Sequence, residues 1–321
     1  MRFTTTAILI VLAAPAACGV PAAEGNSVRR GDRAFAQQDY KEALAEYRLA
    51  VRQGAADGAT LARVAHTYAM LGRVDDAGAY YQEAAARDSA FADEAVSDLM
   101  RMAREALARN DRFAMATAVE TALRMRPGVG VGRMALPLAR HYFKAGEYGR
   151  ALPFYQKAMA EASDSTPDIV FEVGQAYEEI GDCTNALVFF ERFRTMVRPW
   201  QRGEVDWYIG TCSFRMSTER FQQALKLTDP DEREAAMGEA LALVERAIEV
   251  GEPRSIQAEA WFQRGEILAE TGDCQGAMEA YAQVRYADVA GTGPLVDRAQ
   301  KAFDEIRFGR GLEKLRGGRC R

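Results

Sequence analysis

The chain repeats itself. A small residue in one apolar-periodic segment is followed, after a short turn, by Ala-x-x-x-aromatic-x-x-Ala, and this unit recurs along most of the 321 residues. Its small residue falls at Gly31, Ala65, Ala103, Ala139, Gly174, Gly210 and Gly265. The residue that opens the second segment falls at Ala43, Ala77, Met115, Ala151, Ala186, Ala240 and Ala277. Most spacings are 34 to 38 residues, which is room for two helices and a turn. A unit that short buries its apolar face only by stacking on its neighbours, so the period demands an array rather than a single globular core.

Three copies are clear: Asp39-Tyr40 to Ala50, Gly146-Glu147-Tyr148 to Ala158, and Gly181-Asp182-Cys183 to Phe190. Gly72, Gly146, Gly181 and Gly272 stand where the first helix of a pair must stop, and Pro127 and Pro253 stand just beyond second helices. The third copy is weak, with Met115 and Val119 at the Ala and aromatic slots, and the fourth carries Pro137 within its expected first helix, where a kink is anticipated. On these residues the chain resembles the tetratricopeptide repeat family over residues 27 to 287. The resemblance implies an all-α solenoid of about seven helix pairs that holds peptides or partner proteins on the concave face of its first helices. Asp32, Phe35 and His66 stand where the eukaryotic chaperone-binding clamp of that family needs Lys and Asn, so that specialisation is not expected.

The sixth unit carries about 18 residues beyond the repeat, from Ser217 to Glu234, centred on Asp229-Pro230. Asp before Pro reads as a cap and first helical residue, so both helices of this pair should be lengthened, as a plain surface elaboration or as a docking protrusion. Beyond Gly291-Thr292-Gly293-Pro294, the apolar spacing of Leu295, Ala299, Ala302, Phe303 and Ile306 predicts a capping helix within residues 288–321.

The N-terminus reads as an address. Arg2, the apolar run from Ala7 to Ala14 and the small residues up to Cys18 have the order of a secretory signal, and the run is too short to span a bilayer. The Ala16-Ala17-Cys18 ending resembles a bacterial lipoprotein box, which implies a signal peptide over 1–17, lipidation of Cys18 and a flexible tether over 18–26. Ordinary cleavage after Ala16 is the alternative, because Pro15 stands where that box usually has Leu. Gly19 after the lipidated residue implies the outer membrane, facing the periplasm.

An exported chain meets an oxidising compartment, where the four other cysteines can pair. Cys183 opens the second helix of the fifth pair, and Cys212 lies toward the end of the next first helix, which returns to the same level. Cys274 holds the same slot in the seventh pair and Cys320 follows the capping helix. The expected bonds are Cys183 to Cys212 and Cys274 to Cys320, with four unpaired thiols as the alternative.

Composition narrows function. The formal net charge of −5 disfavours a nucleic-acid partner. Two histidines, His66 and His141, and no C-x-x-C pair leave little for a metal or a His-based acid/base centre. No H-E-x-x-H, G-x-S-x-G or phosphate-loop motif occurs, and Gly128-Val-Gly130-Val-Gly132 reads as a linker. No enzyme, cofactor, metal or small-molecule substrate is expected. Glu178 and Glu179 keep a carbohydrate-active enzyme as a minor alternative.

Counting around each small residue gives the slots that face the groove. These hold Arg63, His66, Arg101, Arg104, Arg140 and Lys144 in pairs two to four, and Glu172, Glu178, Glu179 and Glu266 in pairs five to seven. Phe143, Phe171, Trp207 and Phe214 are interleaved. The expectation is a bipolar groove with aromatic anchors for a peptide or partner helix; solvated charges and packed aromatics are the alternative. The functional expectation is a protein-interaction scaffold at a bacterial cell envelope. The alternative places the chain in an outer-membrane assembly, secretion or polysaccharide-export machine.

Overall fold

The computed structural model describes residues 23–161, 166–288, 291–308 and 320. Among them every regular element is helical, and fourteen helices pair into seven hairpins followed by one further helix. The chain is an all-α, tetratricopeptide-like solenoid, divided into two compact units between Val131 and Gly132, inside the glycine-rich linker. The first unit holds α1 (Ala23–Ala36), α2 (Tyr40–Arg52), α3 (Gly58–Met70), α4 (Val74–Arg87), α5 (Phe91–Ala108) and α6 (Arg112–Met125). The second holds α7 (Ala135–Lys144), α8 (Tyr148–Glu161), α9 (Pro167–Glu179), α10 (Cys183–Met196), α11 (Gly203–Ala224), α12 (Pro230–Val250), α13 (Arg254–Thr271), α14 (Cys274–Ala287) and α15 (Pro294–Phe308).

The turn inside each hairpin has a simple chemistry. In every hairpin but the sixth, one residue in the left-handed region ends the first helix, with φ of 73° at Gly72 and 91° at Gly272, and glycine holds this conformation without a Cβ clash. An aspartate next to it often caps the second helix: Asp39, Asp111, Asp182 and Asp273 accept the N–H groups of Glu42, Ala114, Asn185 and Gly276 at 2.9–3.1 Å. In the first and third hairpins the left-handed residue is Gln38 (φ 61°) or Asn110 (φ 58°), which explains why glycine spacing alone left those turns unmarked.

Several details differ from the sequence expectations. Helix α1 already begins at Ala23, so the last residues of the expected 18–26 tether are helical. Residues 1–22, with the expected signal peptide and Cys18, lie outside the described residues. Pro137 does not kink α7: a short 3-10 turn over Gly132–Met134 precedes the helix, so Pro137 falls in its first turn, where its missing N–H costs nothing.

The sixth hairpin is lengthened on both sides, to 22 residues in α11 and 21 in α12. Much of the extension is anchored in the stack. Ser217 Oγ donates to the Ala240 carbonyl at 2.6 Å, Gln263 Nε2 donates to Ser217 Oγ at 2.7 Å, and Thr218 Oγ1 donates to Gln263 Oε1 at 2.8 Å. A buried polar network with every member satisfied holds three helices in one register.

Candidate partner-binding face

The face follows from how the small residues pack. A methyl group on Gly31, Gly174 or Gly265 would lie 2.5–2.6 Å from the ring of Tyr47, Phe190 or Tyr281, each on the second helix of the same hairpin. That ring therefore lies flat over the first helix. Where the hydroxyl exists it reaches the acid beside the glycine: Tyr47 donates to Asp32 at 2.8 Å and Tyr281 to Glu266 at 2.6 Å. In the second and fourth hairpins the small residue is Ala65 or Ala139, and the tyrosine turns to the next hairpin instead. Tyr81 donates to Asp98 and Tyr155 donates to Glu172 at 2.9 Å.

A second rule links neighbouring hairpins. The residue just after a small position meets the residue two before the next small position. Arg63 Nε donates to Asp32 Oδ1 at 3.1 Å, Arg140 Nε lies 3.0 and 2.9 Å from the two Glu172 oxygens, and Gln175 Nε2 donates to the Tyr208 hydroxyl at 3.0 Å. His66 breaks the register, because Arg101 stands where its partner should be. Its Nδ1 reaches instead to Asp98 Oδ2, one turn earlier, at 2.5 Å, and Arg101 Nη2 donates to the other Asp98 oxygen at 3.3 Å.

Asp98 is thus a buried carboxylate with three donors. Burial pushes its carboxyl up, but the hydrogen bonds from His66 and Tyr81 and the charges of His66 and Arg101 outweigh burial and hold it below the ordinary range. Its hydrogen bond in turn lifts the His66 imidazole above its usual value, against the effect of burial. Burial and the Asp98 bond push the Tyr81 hydroxyl far up, so it stays protonated and donating.

These contacts correct the bipolar groove. Arg140 and Glu172, assigned to opposite poles, neutralise each other, and Arg63, His66 and Arg101 each meet a carboxylate. Glu178 lies 3.9 Å from Arg215, and Glu266 is engaged by Tyr281. Adjacent first helices bring opposite charges within hydrogen-bond reach, so the charges pair across the stack rather than collecting at its ends. Arg104, Lys144 and Glu179 are exposed and make no ion pair among the described residues.

The expected aromatic anchors are mostly packing residues. Phe143 meets the rings of Tyr148 and Tyr155, Phe171 lies among Phe190, Phe193 and Tyr208, and Phe214 packs against the α11–α12 core. Trp207 is different, at 44% exposed. Asp98 was missed in the sequence because it lies five residues before Ala103, outside the slots counted as facing the groove; a carboxylate there was the available signal.

The cysteines join in two bonds, Cys183 to Cys212 (S–S 2.05 Å) and Cys274 to Cys320 (2.07 Å). Cys183 and Cys274 each follow the capping aspartate of a second helix. Cys320 also donates its N–H to the Ala269 carbonyl at 3.0 Å, which fixes it against the end of α13. Among the described residues, no His, Cys, Asp and Glu group has the arrangement of a metal site, and no helix is long and apolar enough to cross a membrane.

Residues 238–290 match the tetratricopeptide repeat family. Similar solved structures include the C-terminal part of a tetratricopeptide repeat-containing protein from Cytophaga hutchinsonii, with 16% identity over 85% of this chain and 98% of that one, and a TM-score of 0.34. A tetratricopeptide repeat protein from Parabacteroides merdae gives 13% identity over 87% and 97%, with a TM-score of 0.29. YrrB, described as a tetratricopeptide protein with an unusual peptide-binding site, gives 16% over 79% and 97%, with a TM-score of 0.30. No curated protein sequence matches the chain.

Proposed function

We propose that this chain is a protein-binding scaffold of a bacterial cell envelope, exported by its N-terminal signal and held at the outer membrane, facing the periplasm, through a lipid on Cys18. The observation that carries the scaffold reading is the first-helix row itself. Within each unit, side chains from successive hairpins are locked to one another, by Asp32 and Asp98 in the first and by Glu172 in the second, which preorganises the first-helix face of that unit so that little of its entropy is lost on binding. Trp207, Arg104, Lys144 and Glu179 remain exposed on first helices to contact it. Two disulfides joining four cysteines suit an oxidising compartment.

The test has two parts. Replacing Cys18 by Ser is expected to move the protein from the membrane to the soluble fraction, and mass spectrometry of the parent should find acyl chains on Cys18. Photo-crosslinking from a probe at position 207 in intact cells should give discrete protein adducts that Lys144→Glu weakens, and a probe at position 144 should give adducts that Trp207→Ala weakens. A membrane-bound Ser variant refutes the anchor; the absence of adducts at both positions refutes the scaffold.

A further inference from the structure

The position four residues before the small residue of the first helix differs among the pairs; in the sixth it is Asp206, ion-paired with Arg194 of α10. In pairs two to five it is Leu61, Leu99, Ala135 or Val170, all buried. In the seventh pair it is Trp261, which is only partly buried. Above it lies an open cavity of about 640 Å³ between α12 and α14. Trp261 sits five residues from Glu266, and so about 140° around α13 from the first-helix row. The cavity is therefore a surface distinct from the partner-binding face.

Its chemistry is specific. Ile248 of α12 and Ala282 of α14 flank the indole and make an apolar floor. The exposed carboxylates of Glu245, Glu249 and Glu279 form the rim, and two guanidinium groups meet it, Arg264 at Glu245 and Arg246 at Glu249. Arg264 Nε donates to Glu245 at 2.9 Å while its guanidinium carbon lies 5.7 Å from the Trp261 ring centroid, so a cation already lies near this indole. Glu249 and Glu279 receive one donor each, from Arg246 Nη1 and Gln275 Nε2, and keep oxygens able to accept more.

We propose that this valley is a second docking groove, for a cationic amphipathic segment of a partner protein. One large apolar side chain of the segment seats on Trp261, and its Lys or Arg residues meet Glu249 and Glu279. Charge complementarity selects the occupant: three carboxylates against the guanidinium groups of Arg264 and Arg246 leave the rim acidic, so a cationic segment is drawn in and an acidic one repelled. The size of the cavity suits one or two side chains rather than a whole buried helix.

The experiment uses the full mature chain with Trp200→Phe and Trp207→Phe, which leaves Trp261 as the sole tryptophan. Its emission is followed during titration with a synthetic amphipathic peptide carrying Lys and Leu, and with the same peptide carrying Glu for Lys. The cationic peptide is expected to shift the Trp261 emission saturably, and at least tenfold more tightly than the acidic one. Glu249→Lys with Glu279→Lys should weaken it at least tenfold, and Ala282→Arg, at an exposed position, should abolish the shift at an unchanged thermal midpoint. Equal response to both peptides, no response to either, or binding that survives both variants overturns the proposal. Self-association of the free chain that Ala282→Arg disperses would make the occupant a second copy and overturn it as well. None of these outcomes depends on crosslinking at Trp207 or Lys144, so this groove and the first-helix face fail or stand separately.

Discussion

The ring of Tyr281 lies over Gly265 so closely that a methyl group on Gly265 would be 2.6 Å from Cε1. The same contact aims the Tyr281 hydroxyl at Glu266, the next residue on the helix. Gly265→Ala must displace a buried ring and break that bond, at a cost of about 1–3 kcal/mol that exceeds the gain of about 1 kcal/mol in helix propensity. Gly238 lies inside α12 with nothing near its Cβ direction, so Gly238→Ala should stabilise by about 1 kcal/mol. Chemical denaturation of the two variants should give opposite signs; two stabilised variants would mean that the ring moves aside freely.

Two hairpin turns place a side chain in the left-handed region, Gln38 at φ 61° and Asn110 at φ 58°. Glutamine has no special tolerance for this region, whereas asparagine is stabilised there by local hydrogen bonding. Gln38→Gly is therefore expected to raise the unfolding free energy by about 1 kcal/mol, and Asn110→Gly by less. Equal effects, or a loss at Gln38, would show that side-chain contacts rather than backbone strain decide these turns.

The array was legible because its determinants are local. Gly72 and Gly272 mark turns, Asp182 and Asp273 cap the helices that follow, and the slots of Ala43 and Tyr47 recur at one spacing. The positions of Cys183 and Cys274 in equivalent slots were also enough to suggest the two bonds that the structure contains. The face was less legible because its contacts join residues about one repeat apart. Arg140 and Glu172 read as members of two separate charge blocks until the stacking offset brings them together. His66 passes over the expected slot for a reason no periodicity encodes: that slot holds another cation, Arg101, and the carboxylate that serves both lies in the core register.

The disulfides close segments separated by 29 and 46 residues. By loop entropy each should contribute about 2–4 kcal/mol. Alkylation of unfolded, unreduced protein is expected to leave Cys183, Cys212, Cys274 and Cys320 unmodified, with peptide mapping recovering the two cross-links. Cys320→Ser should lower stability and leave Cys274 reactive, while the Cys183–Cys212 bond persists. Alkylation of all four in the parent would remove this contribution altogether.

The contact between His66 and Asp98 makes stability depend on pH in a defined window. The imidazole is raised above its ordinary value of 6.5, so the folded chain holds that proton more tightly than the unfolded chain. Its contribution is complete below 6.5 and is lost as pH rises through the folded value. The Asp98 carboxyl is held below its ordinary value of 3.8, so its contribution is complete above 3.8 and is lost as pH falls through the lower, folded value. Both act fully between these limits, near pH 5. His66→Gln keeps a neutral side chain of similar reach but cannot become charged. The difference in unfolding free energy between the parent and this variant should be greatest near pH 5 and shrink steadily toward pH 9. Tyr81→Phe removes a neutral donor to the same carboxylate, so the parent's stability advantage over it should persist at pH 9, at about 1–2 kcal/mol. A His66→Gln difference that stays constant from pH 5 to 9 would show that the pair acts through packing and neutral hydrogen bonding, with no part for the imidazolium charge.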